Sequence, residues 1–256
     1  NHCGLVYSDP QATEKSLEKF YSYQYVSSCT PDYIQQCENK IEENREFFRR
    51  LEKWKKPGRI LDIGCAAGFY LKIAQEFGWD PYGVELSEEF SKYAREKLKL
   101  KNIFTGRLEQ ANYPDIFFDY VHCWHTIEHV SDPLQMLQEI SRILKKGGIL
   151  RIGTPNVEEP YYQLTRLIRK LKNKNQFMMS SDHHTFEFSG RILQAMLKRA
   201  GFTIRGFRVY YPNPSDDPQY FKGHFVDVIA MYFFYWLSKI VRNKFGIHLE
   251  IMAVKQ

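Results

Sequence analysis

The stretch Ile60-Leu61-Asp62-Ile63-Gly64-Cys65-Ala66-Ala67-Gly68 constrains this chain more than any other. A buried strand, Arg59–Ile63, runs into a turn of small residues, and a helical pattern starts at once. Small residues let a ligand come close to the backbone, and the first turn of a helix offers free N–H groups. Beyond this unit, strand patterns alternate with helical ones. Strands are expected at Tyr82–Glu85, Ile103–Thr105, Phe118–Cys123, Ile149–Ile152, Phe202–Tyr210 and His248–Val254. Helices are expected at Gly68–Phe77, from Ser87 to Leu98, from Asp132-Pro133 to Lys145 (ended by Gly147-Gly148), and at Ser189–Ala200. Strands separated by helices imply βαβ units and a parallel sheet. The fold class is therefore α/β, with helices on both faces of a mostly parallel sheet of seven strands.

Two regions stand outside this alternation. Before the sheet, Thr30-Pro31 supplies an N-cap followed by proline at the first helical position. A long helix is expected from there to about Trp54, with Ile34, Ile41, Phe48 and Leu51 on one face, ended by Pro57-Gly58. Residues 1–56 are thus read as a helical cap and 57–256 as the main domain, with helical insertions near 160–180 and 224–243. The first insertion, Tyr161–Lys174, holds Arg166, Arg169, Lys170, Lys172 and Lys174 and no acid. Its leucines and Ile168 recur at helical spacing, which makes a basic amphipathic stretch suited to a membrane surface or an anionic acceptor, or simply a solvated face. The second, Val226–Val241, is apolar on most sides and too short for a comfortable span; it is expected to pack on the sheet, a second subunit or an apolar ligand.

Composition narrows the class without deciding function. Lysine and arginine number 36 against 30 acids, so the charge of +6 permits an anionic partner but does not require one. Five cysteines without a C-x-x-C pair argue against a disulfide framework and fit a reducing compartment. With no secretory h-region and no run of 18 apolar residues, a soluble, cytoplasmic protein is expected.

The acids decide more. Asp62 stands immediately before the turn, where it would repel a diphosphate and suit a cationic or hydroxyl-bearing ligand. Position 69 is Phe, so the third glycine of the dinucleotide fingerprint is missing. Glu85 ends the next strand, where an acid grips ribose hydroxyls in nucleotide-binding α/β folds.

These residues resemble the class I S-adenosylmethionine-dependent methyltransferases. The resemblance extends through Gly83-Val84-Glu85-Leu86-Ser87, Phe118-Asp119-Tyr120-Val121, Trp124-His125-Thr126-Ile127-Glu128-His129-Val130, Leu144-Lys145-Lys146-Gly147-Gly148 and Phe188-Ser189, to Arg199-Ala200-Gly201-Phe202. It implies a Rossmann-like sheet of order 3-2-1-4-5-7-6 with the last strand antiparallel, and S-adenosylmethionine as cofactor. Asp62 and the backbone of Gly64, Cys65 and Gly68 would hold the methionine part. Glu85 would bind the ribose, with Leu86, Leu108 and Glu109 about the adenine, and Trp124 and His125 would line the donor pocket. The closest subgroup resembles the ubiquinone-pathway O-methyltransferases. Cys3-Gly4-Leu5-Val6-Tyr7 resembles the tail of a zinc ribbon found in some relatives; its other ligands are absent from these residues, so no ribbon zinc is expected.

The expected reaction is methylation of a small molecule, at oxygen by preference. An oxygen acceptor needs a proton removed, and histidine is the natural base. The candidates are His125, His129, His183 and His184, with His129 and His184 placed in the catalytic role. A plain packing role for these histidines, or Glu128, His129 and His184 as ligands of a divalent metal, are the alternatives. By the same resemblance Tyr21, Tyr23 or Tyr25 would cover the cofactor as a lid, with plain packing as the alternative. Rival readings are an RNA methyltransferase, a non-catalytic cofactor-binding protein and a nicotinamide dehydrogenase; no nucleic acid is expected as partner, and peripheral membrane contact and a homodimer are left open.

Overall fold

In chain order the strands are β1 (Val6–Tyr7), β2 (Arg59–Ile63), β3 (Asp80–Glu85), β4 (Asn102–Thr105), β5 (Phe118–Trp124), β6 (Leu144–Pro155), β7 (Phe186–Glu187), β8 (Phe202–Tyr210) and β9 (His248–Lys255). The helices are α1 (Glu14–Lys19), α2 (Ile41–Leu51), α3 (Phe69–Glu76), α4 (Glu88–Glu96), α5 (Pro133–Ile143), α6 (Pro160–Leu171), α7 (Gly190–Arg199) and α8 (Phe225–Ile240). They belong to a computed structural model that describes residues 4–8, 11, 13–21, 34–35, 37–38, 40–171, 184–212, 214, 225–241 and 245–256.

Seven strands form one sheet in the order β4-β3-β2-β5-β6-β9-β8. Counted within this sheet alone, that is the expected 3-2-1-4-5-7-6. The pairs β2–β3, β2–β5, β3–β4 and β5–β6 are parallel, and β9 runs antiparallel to both its neighbours. The chain winds outward from β2 in one direction to β3 and β4, and in the other to β5 and β6. Such a reversal leaves a crevice at the carboxyl ends of β2 and β5, the place where open α/β sheets take ligands.

The sequence of β2 shows why the sheet needs cover on both faces. All its residues but Arg59 are buried, as parallel strands require. Leu61 and Ile63 join the cluster under α5 and α7, with Val121, Ile140, Leu150 and Leu193. Ile60 faces the other way, into a cluster with Phe48, Leu51, Leu71, Ala74, Trp79 and Tyr120 under α2 and α3. Asp62, two residues from Ile60, shares that second face.

Local caps set the helices. The Ser87 hydroxyl accepts from Phe90 N at 3.2 Å, and Ser189 does the same from Ile192 N at 3.3 Å. Asp132 accepts from the N–H groups of Leu134 and Gln135, with Pro133 in the first turn.

Some boundaries differ from expectation. Helix α5 stops at Ile143, not Lys145: Leu144 turns extended (φ −73°, ψ 142°) and pairs with Phe118, where it is fully buried. Strand pairing with burial outweighs the good helix propensity of Leu-Lys-Lys, and β6 is correspondingly long. The antiparallel ribbon of β1 with β7 was not expected; two-residue strands carry no readable periodicity. Nor was α1, which the Thr13 hydroxyl caps. The Thr30-Pro31 start, Tyr23, Tyr25, His183, Cys3 and residues 172–174 lie outside the described residues. No helix among the described residues is long and apolar enough to cross a membrane.

Helix α2 is held chiefly by Phe48. This fully buried ring lies 5.1 Å from Tyr70 and 5.6 Å from Phe77. Phe48→Ala should destabilise the fold by about 3–5 kcal/mol, read as a lowered urea midpoint. An unchanged midpoint would show that α2 contributes little to the cooperative unit.

Candidate active site

The turn after β2 is shaped by backbone bonds. Gly64 N and Cys65 N both donate to Val84 O, at 2.8 and 3.1 Å, which folds the chain over the end of β3. Gly64 (φ +72°) and Gly68 (φ +84°) are both left-handed. A Cβ on Gly64 would strike the Thr126 hydroxyl, and one on Gly68 would come 2.7 Å from Leu100. Only glycine fits either position. Between them Ala66 is left-handed despite its side chain (φ +45°), a strained conformation of the kind that clusters at ligand sites. Its N–H donates to Glu85 Oε2 at 2.8 Å, and Ser87 N donates to Oε1 at 2.8 Å. Burial raises the Glu85 carboxyl, opposed by those N–H groups. Cys65, also buried, has its thiol pushed well up by burial and by Asp62 and Glu85, so it stays a neutral packing group.

Beneath the turn lies a polar row. Asp62, His122 and Arg151 are in register across β2, β5 and β6. His122 Nδ1 lies 2.8 Å from Asp62 Oδ1 in a buried contact. Burial pushes the His122 imidazole down, against the pull of Asp62. A carboxylate only accepts, so Nδ1 carries the proton and donates. The imidazole stacks on Tyr70 at 3.9 Å and on Trp124 at 5.8 Å. Arg151 Nε donates to Glu250 Oε1 at 2.7 Å, and its guanidinium lies over Phe47 (4.0 Å) and Trp124 (4.9 Å). Arg208 closes the row on the other oxygen of Glu250.

Across the crevice, the segment after β5 holds a carboxylate surrounded by histidines. Glu128 is 1% exposed. His125 Nδ1 lies 3.2 Å from its Oε1, and the Thr154 hydroxyl donates to Oε2 at 3.0 Å. His129 Nε2 is 4.0 Å from Oε1. Burial raises the Glu128 carboxyl, but the His125 bond and the charges of His129, His125 and His184 outweigh it and hold it at about 2. The His129 and His184 rings meet edge to face at 4.8 Å. Tyr21, two residues beyond α1, shares a 2.5 Å hydrogen bond with His129 Nδ1. His125 itself is left-handed (φ +49°), with its N–H on Gly153 O. Thr185 N donates to Glu128 O, and Ser8 N to Thr185 O, so the β1–β7 ribbon is tied to this cluster beside His184.

The turn, the Asp62-His122-Arg151 part of the row and the histidines about Glu128 meet in one cavity of about 1080 Å³. Asp62, Gly64, Cys65, Gly68, Glu85, Leu86, Leu108, Glu109, Trp124 and His125 line it, and so do His129 and His184. Of the tyrosines considered as lid, Tyr21 lines it as well. His122, Arg151 and Tyr70 also line it and were not singled out from sequence. For His122 a signal existed: once β2 and β5 are paired, it stands directly opposite Asp62. Arg151 and Tyr70 offered none, because each depends on which face of the sheet is covered.

The cradle suits S-adenosylmethionine on chemical grounds. Its left-handed glycines leave room that any Cβ would fill, two carboxylates border it, and a cationic sulfonium with ribose hydroxyls complements them. Comparison with known proteins agrees. A profile described as a methyltransferase domain matches residues 33–205. A probable methyltransferase, ltbC, of Aspergillus luteorubrus is 28% identical over 181 residues, covering 63% of this chain and 62% of that protein. The chain thus spans about three-fifths of that relative's length. A ubiquinone biosynthesis O-methyltransferase of Aliivibrio fischeri is 27% identical over 183 residues, 66% of this chain and 74% of the other. Among solved structures, an S-adenosylmethionine-dependent methyltransferase of Thermotoga maritima superposes with a TM-score of 0.60 at 21% identity, over 93% of this chain and all of that one. The profile match, the sheet order and the cradle lead to one conclusion: this chain belongs to the class I S-adenosylmethionine-dependent methyltransferases.

Proposed function

We propose that this protein methylates a small molecule at an oxygen atom. One observation carries the reading: the acid-bearing cradle and the Glu128-His129-His184 cluster line the same cavity. When bound, S-adenosylmethionine supplies an electrophilic methyl group on a sulfonium. The chain's own task is then to position two partners and to move one proton. Asp62, fixed by His122, and Glu85, fixed by Ala66 and Ser87, hold the donor through its ammonium and ribose. The His129–His184 pair takes up the one proton that the acceptor hydroxyl loses as the methyl group passes to its oxygen and the carbon–sulfur bond breaks, leaving a neutral thioether. Glu128, buried and ionised, stabilises the imidazolium that results. The oxygen preference is supported by this base cluster and by the O-methyltransferase named among the relatives. A helical cap of residues 1–56 over a domain of 57–256 belongs to the same reading, with Tyr21 reaching from cap to base. Cys65 and Cys123 are buried thiols in no disulfide, which suits a reducing, cytoplasmic setting.

A second reading is favoured by one geometric fact. Ligand atoms from Glu128, His129 and His184 lie within 4.8 Å of one another, close enough to share a divalent cation that would bind the acceptor oxygen. Methylation that survives exhaustive chelation removes it.

Donor binding is the first test. Glu85→Gln should weaken binding of S-adenosylhomocysteine roughly ten- to a hundredfold, the worth of a hydrogen bond to a charged group. Calorimetry reads this directly, and unchanged affinity would remove Glu85 from the ribose.

The base is tested separately. The double variant His129→Ala/His184→Ala should lower kcat by about 10²–10⁴ while leaving S-adenosylhomocysteine affinity in place. Full activity in the double variant would sink the base assignment but leave the donor site standing.

Glu128 gives a pH signature. Its folded carboxyl sits at about 2, below an unfolded value of about 4.3. Its stabilisation is therefore present above about pH 4 and is lost as pH falls towards 2, on the order of 3 kcal/mol in all. Urea unfolding of wild type and Glu128→Gln across this window should show the stability gap between them closing as the pH drops. A gap independent of pH would mean that Glu128 is not held as a carboxylate.

A further inference from the structure

A tyrosine of the chain itself is seated on the proposed base. The Tyr21 hydroxyl lies 2.5 Å from His129 Nδ1, and the Tyr21 ring meets the imidazole edge to face at 5.3 Å. Tyr21 is half-buried and lines the cavity together with the donor cradle, as does Leu17 of α1. The opening of the same N-terminal segment is fastened next to the cluster: Ser8 N donates to Thr185 O, and Thr185 N to Glu128 O.

The two nitrogens of His129 are not equivalent. Nε2 faces Glu128 Oε1 at 4.0 Å. An ionised carboxylate only accepts, so the ring's proton belongs on Nε2 and its lone pair on Nδ1. That lone pair is what a general base uses. It is a single pair that takes one donor at a time, and the Tyr21 O–H donates to it. We infer that Tyr21 holds the acceptor's place: its phenol hydroxyl stands where the acceptor hydroxyl has to stand, so the tyrosine must leave His129 before methylation. The inference rests on the base assignment and deepens it. The chain thereby sets a threshold for its acceptor, because a hydroxyl gains access only by replacing a phenol on an imidazole nitrogen. Once there, its proton passes to Nδ1, its oxygen bonds to the methyl carbon, and the electron pair of the broken carbon–sulfur bond stays on sulfur. His184, edge to face with the same imidazole at 4.8 Å, borders the contested place. A relay, with Tyr21 staying put and handing the proton on, is the competing use of this contact. It predicts the opposite effect of removing the hydroxyl.

The probe is p-cresol, the tyrosine side chain as a free molecule, and calorimetry reads its binding to the full chain saturated with S-adenosylhomocysteine. Tyr21→Ala should bind p-cresol about tenfold or more tighter than wild type, because no competent fraction is lost to the tyrosine. Tyr21→Phe keeps the ring and loses only the bond to His129, so its gain should be about three- to tenfold, the worth of one hydrogen bond. With S-adenosylmethionine instead, Tyr21→Ala should convert p-cresol to its methyl ether about tenfold or more faster than wild type. Adding His129→Ala to either variant should cancel the gain in affinity. Urea midpoints near that of wild type show that the variants fold; if the alanine variant does not, the phenylalanine variant decides. The inference is overturned if wild type and the folded variants bind p-cresol alike, detectably or not, or if the gain survives His129→Ala. It is overturned equally if the variants methylate p-cresol more slowly than wild type, as a relay requires. The base assignment is judged apart, by His129→Ala/His184→Ala: turnover lost there, with p-cresol affinity unmoved by Tyr21→Phe, sinks the role of Tyr21 alone.

Discussion

A row of charged and polar side chains runs across five neighbouring strands beneath the cavity. Asp62, His122, Arg151, Glu250 and Arg208 follow one another over β2, β5, β6, β9 and β8, and each contacts the next or shares its register. Along it the charge goes from anion through neutral imidazole to cation, anion and cation. Removing one partner from such a buried pair leaves an uncompensated charge and costs about 3–5 kcal/mol. The row therefore holds the sheet in a single register, since slipping any strand by one residue would turn its member to the opposite face. It also reaches from the deep sheet to the site, because its first member, Asp62, borders the cradle.

The two sides of the cavity follow from that rigidity. On one side Ala66 is left-handed and bonded to Glu85; on the other His125 is left-handed and turned towards Glu128. Strained backbone persists only where its surroundings over-determine it. Here those surroundings are the ends of β2, β3 and β5, whose packed residues cannot relax. Glu128 is buried and Glu85 half-buried, and the two carboxylates differ in kind. Glu85 is satisfied by backbone N–H groups and pushed up by burial, whereas Glu128 is ringed by imidazoles and driven down to about 2. The first environment suits hydrogen bonding to neutral hydroxyls, the second the stabilisation of a transient positive charge.

How much of this was legible in the sequence depends on the range of the interactions. The glycine turn, Asp62 and Glu85 sit on short, local patterns whose meaning is fixed by strand and helix geometry, and the sheet order followed from the family resemblance that those patterns carry. Caps such as Ser87 and Ser189 are equally local and were readable. The end of α5 was not, because Leu144 obeys its pairing with Phe118 rather than its own propensity. The β1–β7 ribbon joins Val6 to Glu187, far apart along the chain, and nothing in Val6-Tyr7 announces it. His122 was missed for another reason: a histidine in an apolar strand reads as core until the strand beside it is known.

The donor side of the cavity and the rest of it are built differently, and this bears on how specificity arises. The donor side consists of strand ends within the alternating unit, where register leaves little freedom. Much of the remaining wall is contributed by additions to that unit: Tyr21 just after α1, His184 beside β7, Tyr162 of α6 and Lys239 of α8. The methyltransferase profile ends at residue 205, before α8 begins. Insertions can change length and chemistry without disturbing the buried row, because they rest on the sheet rather than within it. A fold of this kind can therefore keep one donor site while its acceptor wall varies. Here that wall carries histidines around an ionised carboxylate, bordered by two helices whose outer faces are apolar.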